Sequence, residues 1–341
     1  MISEQELTRA WSGSTQPVVS IICCTYNQEK FISRTLEGFL SQRTNFPFEV
    51  VVQNDASSDG TKQIIERFSQ LYPSVIKAFH HSENVYSNGV KPGPMAIARS
   101  RGEFVAMCEG DDCWIDENKL QTQYDALTRH PEIDICFHPS EELRGGRSHC
   151  LINNHFVAEA IVPLSAVIEG GGGFMPTASL FIRKSALLPF PSWLVESAPV
   201  GDVFFQILGS VRGGALFLPE VMSIYRRFSE GSITERNAEN GFSEVELRRR
   251  FNGYTLCFRE LKKVLPTELG VNIEYALGVE LFGSAIRALD NGYTELFVEI
   301  TDEIELSVAL RNRAFIALKL ARFLPFLRGL VLGSWERRLL N

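Results

Sequence analysis

The sequence predicts an α/β fold with a mainly parallel central sheet, followed by a helical carboxyl-terminal extension. From Val18 onward, short apolar runs such as "VVSIICC" alternate with longer amphipathic stretches such as "TKQIIERFSQLY". This alternation is typical of strands joined by helices that cover a parallel sheet. In the amphipathic stretches apolar residues recur at intervals of three and four, as at Ile64, Ile65, Phe68 and Leu71. Each predicted helix therefore has one apolar face that can pack on the sheet.

The first 140 residues contain the most regular part of this pattern. The predicted strands are, in order, "VVSIICC", "FEVVVQ", "VIKAFH", "EFVAMC" and "IDICFH". The predicted helices between them are "EKFISRTLEGFLSQ", "TKQIIERFSQLY", "PMAIARS" and "NKLQTQYDALTRH". In an open α/β sheet, ligands bind beyond the carboxyl ends of the strands, so functional residues are expected there.

The pattern is weaker between residue 140 and residue 236. Four glycines at 170–173 precede a predicted strand, and they suit either a mobile lid over a site or a plain connector. The stretch "VGDVFFQILGS" is expected to be helical, and "ALFLPEVMSIYRRFSEGSIT" to form two short strands and a loop. From Ser243 three long stretches, the last from Tyr293 to Leu324, are expected to be helical throughout. We therefore expect one domain over residues 1–236 and a helical region over residues 237–341.

Composition and charge exclude several classes of function. The chain has 341 residues and a net charge of -7, which argues against general nucleic-acid binding because phosphate neutralisation needs concentrated Lys and Arg. The absence of GxGxxG and GxxxxGK[ST] motifs makes a dinucleotide dehydrogenase or a P-loop NTPase a poor explanation. The seven cysteines include no CxxC pair and indicate reduced thiols. The amino-terminal residues do not form a signal-peptide pattern, so a cytoplasmic location is expected.

Polar residues follow three of the first four predicted strands. They are Thr25-Tyr26-Asn27 after the first, "NDASSDGT" after the second and "EGDD" after the fourth. In "EGDD" the carboxylates of Glu109, Asp111 and Asp112 should repel one another. Two explanations remain open: the aspartates cap a helix that begins near Asp116, or they hold a divalent cation that offsets the repulsion.

Four segments together resemble the family-2 glycosyltransferases of the GT-A fold. They are "VSIICCTYNQEKFISRTLEGFLSQ", "FEVVVQNDASSDGT", "ARSRGEFVAMCEGDDCW" and "GDVFFQ" with "YRRFSEGSIT". The resemblance extends over roughly residues 17–234 in matching order. It implies a nucleotide-sugar-binding part at about 17–140 and an acceptor and base part at about 160–236.

This resemblance implies an inverting transfer of a sugar from a nucleotide-diphosphate donor, assisted by Mn or Mg. Carried over by position, Thr25 and Tyr26 line the nucleoside pocket, and Asp55 bonds the base or its ribose. Asp111 lies against the ribose and the metal, and Asp112 is the principal metal ligand. Glu109 stands where the family more often has Asp, which leaves its role open.

Three further residues complete the predicted site. Asp202 matches the family's catalytic base, although a helix N-cap would use the same residue. Arg226, or Arg227 beside it, suits diphosphate recognition, with a structural salt bridge as the alternative. Lys91, directly before a helix, is a further donor-binding candidate.

The resemblance also implies an acceptor that is a growing cell-surface glycan or its lipid-linked precursor. A catalytically silent nucleotide-sugar-binding or scaffold protein of the same fold is the alternative. The sequence from Arg311 to Asn341 carries seven Lys and Arg against one acidic residue, among many apolar ones. Such a tail suits peripheral contact with an anionic membrane surface, or packing on the catalytic domain or on a second copy in a homo-oligomer.

Overall fold

The computed structural model describes residues 2–11, 16–144, 147–227, 241–305, 308, 311 and 313–323. The chain divides into two compact units. The first comprises Met1–Val167, Gly172–Pro191 and Gly201–Arg236, and the second comprises Ile168–Gly171, Ser192–Val200 and Asn237–Asn341. The predicted loop "FSEGSIT" and most of the basic tail lie outside the described residues.

The described strands belong to the first unit. They are β1 (Val19–Thr25), β2 (Phe48–Asn54), β3 (Ile76–His80), β4 (Phe104–Met107), β5 (Cys113–Trp114), β6 (Ile135–Phe137), β7 (Ser140–Arg144), β8 (Arg147–Ile152), β9 (Ala160–Val162), β10 (Phe181–Arg183), β11 (Ala215–Phe217) and β12 (Ser223–Arg227).

The described helices occur in both units. They are α1 (Glu4–Thr8), α2 (Ile32–Leu40), α3 (Thr61–Leu71), α4 (Pro92–Arg99), α5 (Lys119–Arg129), α6 (Leu164–Gly170), α7 (Ser192–Glu196), α8 (Asp202–Gly209), α9 (Glu244–Val264), α10 (Gly270–Asp290), α11 (Thr294–Glu303) and α12 (Arg313–Phe323).

The larger sheet has eight strands in the order β3-β2-β1-β4-β10-β6-β11-β9. Strands β1, β2, β3 and β4 run parallel, β6 and β11 share their direction, and β10 and β9 run antiparallel. The prediction of a mainly parallel sheet is therefore confirmed. Both faces of β1 and β2 are covered, as expected for near-continuous apolar strands. The register pairs Thr25 with Asn54 and Ile22 with Met107, so the polar segments after these strands emerge at one edge.

A second sheet, of four strands in the order β5-β12-β7-β8, was not predicted as such. Its β5 has only two residues, and β7 reads "SEELR", so neither shows an apolar alternation. Strand β5 forms because β12, distant in sequence, supplies its hydrogen bonds, and β7 pairs both with β12 and with the adjacent β8. The pairing of Ile224 with Cys113 places β12 beside the chain that follows Asp112.

The second unit is helical in its described part. Helix α9 begins at an N-cap, Ser243, whose hydroxyl accepts a hydrogen bond from the Glu246 N–H at 3.2 Å. The prediction of continuous helix from Tyr293 to Leu324 is wrong, because α11 ends at Glu303 and Ile304 is extended. Acidic residues at the end of α11 destabilise the helix there, because its carboxyl end carries partial negative charge. The chain changes direction after α11, and the buried Ile304 packs near Gly278. None of the helices in the described ranges is long and apolar enough to cross a membrane.

Close packing of α2 on β5 generates a test of the fold. A Cβ atom at Gly38 would lie 2.8 Å from the backbone oxygen of Trp114 and 3.2 Å from its nitrogen. We expect Gly38→Ala to destabilise the protein by about 1–3 kcal/mol in denaturant unfolding, since overpacking outweighs the helix preference for alanine.

Gly283→Ala is the matched control in a helix interior. There the nearest atom to the new Cβ, at 3.2 Å, is the Nη1 atom of the flexible Arg287 side chain. We expect this substitution to be neutral or stabilising. Equal effects of the two changes would contradict the described approach of α2 to β5.

Candidate functional site

The loops after β1 and β2 are joined by side-chain hydrogen bonds. Asn27 adopts a positive φ of 52°, which its short polar side chain tolerates. Its N–H donates to the Ser57 hydroxyl at 2.9 Å, and its side-chain oxygen accepts from the Ser58 N–H at 2.8 Å. Thr25, at the end of β1, is buried and donates to the Gln28 side-chain oxygen at 2.7 Å, and Tyr26 beside it is half-buried. These bonds hold the predicted nucleoside-binding residues in one conformation.

Asp55 directly follows β2 and is buried. Its carboxylate accepts hydrogen bonds from the backbone N–H groups of Val85, at 2.6 Å, and Tyr86, at 3.1 Å. The structure thus uses this carboxylate to anchor the segment that leads towards Lys91 and α4. The predicted contact with the base or ribose stays a prediction, and it would use the remaining acceptor capacity of the same oxygens.

The turn from Glu109 to Asp112 is held by neighbouring strands and by α2. The Gly110 N–H donates to the Cys24 carbonyl at 3.0 Å. The Thr35 hydroxyl lies 2.9 Å from the Gly110 carbonyl and 2.6 Å from the Asp112 carbonyl. A Cβ atom at Gly110 would lie 2.4 Å from the Gln28 side-chain oxygen, so only glycine fits this turn without rearrangement.

The Asp112 carboxylate is buried with one oxygen bonded and the other bare. Its Oδ1 accepts from the Arg226 backbone N–H at 2.8 Å. Its Oδ2 has no hydrogen-bond partner among the described residues. Burial, and after it the charge of Asp111, raise the pKa of Asp112 well above its ordinary value, opposed by Arg226.

Arg226 supports this turn with its side chain as well. Its guanidinium donates to the Asp111 carbonyl and lies 5.4 Å from the centre of the Phe31 ring. Recognition of a diphosphate by Arg226 stays a prediction, but the structure places the residue as a tether of the two aspartates. Its neighbour Arg227 lies 3.7 Å from the Glu142 carboxylate.

Two further carboxylates, Glu109 and Asp202, join the same cluster. Asp202 begins α8 and accepts a hydrogen bond from the Thr177 hydroxyl at 3.3 Å. Glu109 keeps contact with solvent, yet the surrounding protein, and then the charges of Asp202, Asp111 and Asp112, raise its pKa well above the ordinary value. Burial also raises the pKa of Asp202, while the Thr177 hydroxyl opposes the rise. The residue whose role the sequence left open therefore lies beside the predicted base.

Sequence reasoning missed the turn that orients Thr177. This short 3₁₀ turn, Thr177–Ser179, receives two side-chain hydrogen bonds from elements near the aspartates. The Trp114 indole N–H donates to the Ala178 carbonyl at 2.9 Å, and the Gln123 amide donates to the Ser179 carbonyl at 2.8 Å. No motif marks these residues, because they act through contacts between segments far apart in the chain.

Lys119 lies behind the same turn. It is fully buried, its ammonium donates to the Gln123 side-chain oxygen at 2.5 Å and it lies 4.1 Å from the centre of the Trp114 ring. Burial lowers the pKa of Lys119 to about 7. The lysine therefore supports the polar network beneath the aspartates.

The two helix-capping explanations of the acidic residues are wrong. Helix α5 begins at Lys119 with Asn118 as its N-cap, and the two aspartates of "EGDD" lie before the intervening strand β5. Asp202 is the first residue of α8, whose N-cap is Gly201. These carboxylates therefore do not serve as helix N-caps.

The carboxylate oxygens present fit a divalent cation that takes most of its ligands from a phosphate group and water. In the described part of the chain, no three His, Cys, Asp or Glu residues are arranged to hold a metal ion. However, the bare Oδ2 of Asp112 and the mutual repulsion around it are the features that a cation would correct. Mg²⁺ and similar ions are commonly held by one or two carboxylates, with phosphate and water as the other ligands.

Comparison with protein families gives one match over the strands that form this site. Residues 20–154 match the model described as Glycosyl transferase family 2. The uncharacterized protein Rv1520 of Mycobacterium tuberculosis is 33% identical over 218 residues, which is 62% of this chain and 60% of that protein. The chain thus spans about 60% of the relative's length.

Two further relatives have names that state a role. The minor teichoic acid biosynthesis protein GgaA of Bacillus subtilis is 30% identical over 142 residues, 40% of this chain and 31% of that protein. The poly(ribitol-phosphate) beta-N-acetylglucosaminyltransferase TarS of Staphylococcus aureus is 34% identical over 114 residues, 33% of this chain and 19% of that protein.

Solved structures share the fold across most of the chain. TarS 1–349 in complex with UDP-GlcNAc superposes with a TM-score of 0.65 at 18% identity, covering 94% of this chain and 91% of that one. The mannosyltransferase PcManGT of Pyrobaculum calidifontis, in complex with GDP-Man and Mn2+, gives a TM-score of 0.50 at 15% identity, covering 96% and 93%. At these identities the likeness shows the GT-A-type fold.

The raised pKa of Asp112 leads to a stability prediction. Because its folded pKa lies above the unfolded value, ionisation at neutral pH costs folding free energy, and this cost disappears as the pH falls below the unfolded value. We expect Asp112→Asn to raise the midpoint of thermal unfolding at pH 7 in a chelator, and to lose this advantage near pH 4. Mn²⁺ should stabilise the unsubstituted protein but not the variant.

The exposed Asp125 on α5 provides the matched control. Asp125→Asn should leave both the midpoint and its response to Mn²⁺ unchanged. Equal stabilisation of all three proteins by Mn²⁺ would contradict a cation site at Asp112.

Proposed function

We propose that this chain is a family-2 glycosyltransferase that transfers a sugar from a nucleotide-diphosphate donor to a hydroxyl group of a cell-surface glycan or its lipid-linked precursor. The observation that carries the proposal is the position of Asp202 beside Glu109, Asp111 and Asp112 at the carboxyl edge of the sheet. A carboxylate cluster of this kind suits both a cation for the donor and a base for the acceptor.

The donor is proposed to bind over the ends of β1, β2 and β4. Thr25 and Tyr26 would contact the nucleoside, and Asp55 would reach it from its anchored position. Asp111 and Asp112 would hold Mn²⁺ or Mg²⁺, which when bound stabilises the charge of the leaving diphosphate. Lys91 and Arg226 are the basic residues proposed to assist on the phosphate side.

Asp202 is proposed as the general base. It would accept the proton of the acceptor hydroxyl as that oxygen displaces the diphosphate, giving inversion at the anomeric carbon. Its raised pKa makes it a better proton acceptor than an ordinary carboxylate, and the Thr177 hydrogen bond orients it. Glu109 lies beside Asp202, and two adjacent carboxylates take up protons as a pair. The proton of the acceptor hydroxyl would therefore be shared between Asp202 and Glu109.

Asp202→Asn tests this assignment. We expect the variant to bind donor as before and to lose about 10²- to 10⁴-fold in turnover, the range for removal of a general base. The nucleotide-sugar donor is first identified by thermal shift with UDP-, GDP-, dTDP- and CMP-sugars in the presence of Mn²⁺. Turnover is then measured as release of the nucleotide.

Glu196→Gln serves as the control because Glu196 is an exposed carboxylate near the end of α7. It should retain turnover. Turnover of Asp202→Asn at the rate of the unsubstituted protein would remove Asp202 as the base, and absence of binding by all donors would contradict the proposed function itself.

We also propose that residues 324–341 contact an anionic membrane surface from the cytoplasmic side. The start of the basic tail packs on protein instead, since Phe315 of α12 contacts Tyr275 and Phe282 of α10, with ring centres 6.3 and 5.0 Å apart. The remaining tail carries Arg328, Arg337, Arg338 and Trp335 among apolar residues. Each basic residue near such a surface contributes about 1 kcal/mol.

Sedimentation with liposomes tests the tail. We expect the full chain to sediment with vesicles that contain anionic lipid, less so as salt is raised, and a chain that ends at Phe323 to stay in the supernatant. Neutral phosphatidylcholine vesicles are the control. If the full chain fails to sediment at low salt, the tail packs on protein or on a second copy.

A further inference from the structure

Two arginines of the helical unit lie against one aromatic ring. The guanidinium carbon of Arg250, on α9, is 5.6 Å from the centre of the Phe242 ring, and that of Arg287, on α10, is 5.0 Å from it. Burial lowers the pKa of Arg287, and the charge of Arg250 lowers it further. Two like charges are thus held side by side.

One carboxylate accompanies this pair. Glu280, on α10, interacts with both arginines and hydrogen-bonds with Tyr254 of α9, whose hydroxyl also accepts from the Arg250 Nη2 at 3.3 Å. Burial raises the pKa of Glu280, and the arginines and Tyr254 oppose the rise. With Glu280 ionised, the cluster retains one positive charge.

Hydrogen-bond donors in the cluster are left without acceptors. The Nε atom of Arg250 is buried and has no partner within the described ranges. Arg287 makes ring and charge interactions, but no hydrogen bond or ion pair of its guanidinium is present among the same residues. Unpaired guanidinium donors that are partly removed from water are costly, and an oxyanion bound between them would relieve both the repulsion and the missing bonds.

We propose that Arg250 and Arg287 bind a phosphodiester group of the acceptor, an inference that rests on the proposed function. The excess of one positive charge matches a singly charged phosphodiester, whose two free oxygens can each accept from one guanidinium. Arg250, Arg287 and Glu280 are each half-buried and so remain open to solvent. An acceptor that consists of polyol units joined by phosphodiesters carries such a group at every repeat.

Direct binding to the full chain tests the proposal without any transfer reaction. The probe is glycerophosphoglycerol, a phosphodiester of two glycerols, titrated by calorimetry and compared with inorganic phosphate. We expect Arg287→Gln and Arg250→Gln to weaken diester binding about tenfold or more, as for loss of hydrogen bonds to a charged group. Arg249→Gln, an exposed neighbour on α9, is the matched control and should bind as before.

Two outcomes would overturn the proposal. One is the absence of diester binding by the unsubstituted protein, or an equal loss in Arg249→Gln. The other is tighter binding of inorganic phosphate than of the diester, which would make the pair a site for free phosphate. Thermal unfolding without ligand checks the fold, and Arg287→Lys, which keeps the charge but not the planar fork, should bind at an intermediate strength.

Failure here is distinguishable from failure of the proposed function. Mn²⁺-dependent binding of the nucleotide sugar should be unchanged in Arg287→Gln. If that binding and the effect of Asp202→Asn on turnover are as expected while the diester does not bind, only the acceptor inference is lost. If the diester binds but no nucleotide sugar does, the oxyanion site stands and the glycosyl transfer does not.

Discussion

Repulsion among carboxylates at one sheet edge is the constraint on which the site depends. The charges of Asp202, Asp111 and Asp112 raise the cost of ionising Glu109, and the charge of Asp111 raises that of Asp112, which Arg226 offsets only in part. A fold selected for stability alone would separate these groups or pair them. Their retention together favours a function that needs a positive ligand and a proton acceptor at the same place.

The scaffold opposes this repulsion mainly with backbone hydrogen bonds. Gly110 is tied to β1, and the hydroxyl of Thr35 holds the carbonyls of the turn from the side of α2. The most distant support comes from β12, where the Arg226 N–H reaches Asp112 across 114 residues of sequence. Such contacts keep the carboxylates in position while leaving one oxygen of Asp112 bare, which is the preorganised arrangement that binding and catalysis favour.

The helical unit contains a cluster with excess positive charge, formed by Arg250, Arg287 and Glu280. Two arginines accompany one carboxylate there, so the cluster has an excess positive charge when Glu280 is ionised. Within a protein, each kind of excess is costly until a ligand of opposite charge arrives. A cation bound with the sugar donor would offset the negative charge of the carboxylates. A phosphodiester of the acceptor would in the same way offset the positive charge of the arginines.

The sequence by itself determined the parallel α/β layer, because strands β1 to β4 and the helices between them have strong apolar periods that act locally. It also located the polar strand ends with Asp111 and Asp112, and its resemblance to the family-2 glycosyltransferases singled out Asp202. It did not determine β5 or β9, which have two and three residues and pair with the distant β12 and β11, or β7 and β8, which pair with each other but lack an apolar period.

Only the tertiary structure decided how the site is held together. The tether of Arg226 to the aspartates, the contact of Thr177 with Asp202 and the closeness of Glu109 to Asp202 all join segments far apart in sequence. The end of α11 at Glu303 likewise depends on where Ile304 can be buried. Periodicity reports which face of an element is apolar, whereas the partner of a polar side chain is chosen by packing between elements, and that choice leaves no local pattern in the sequence.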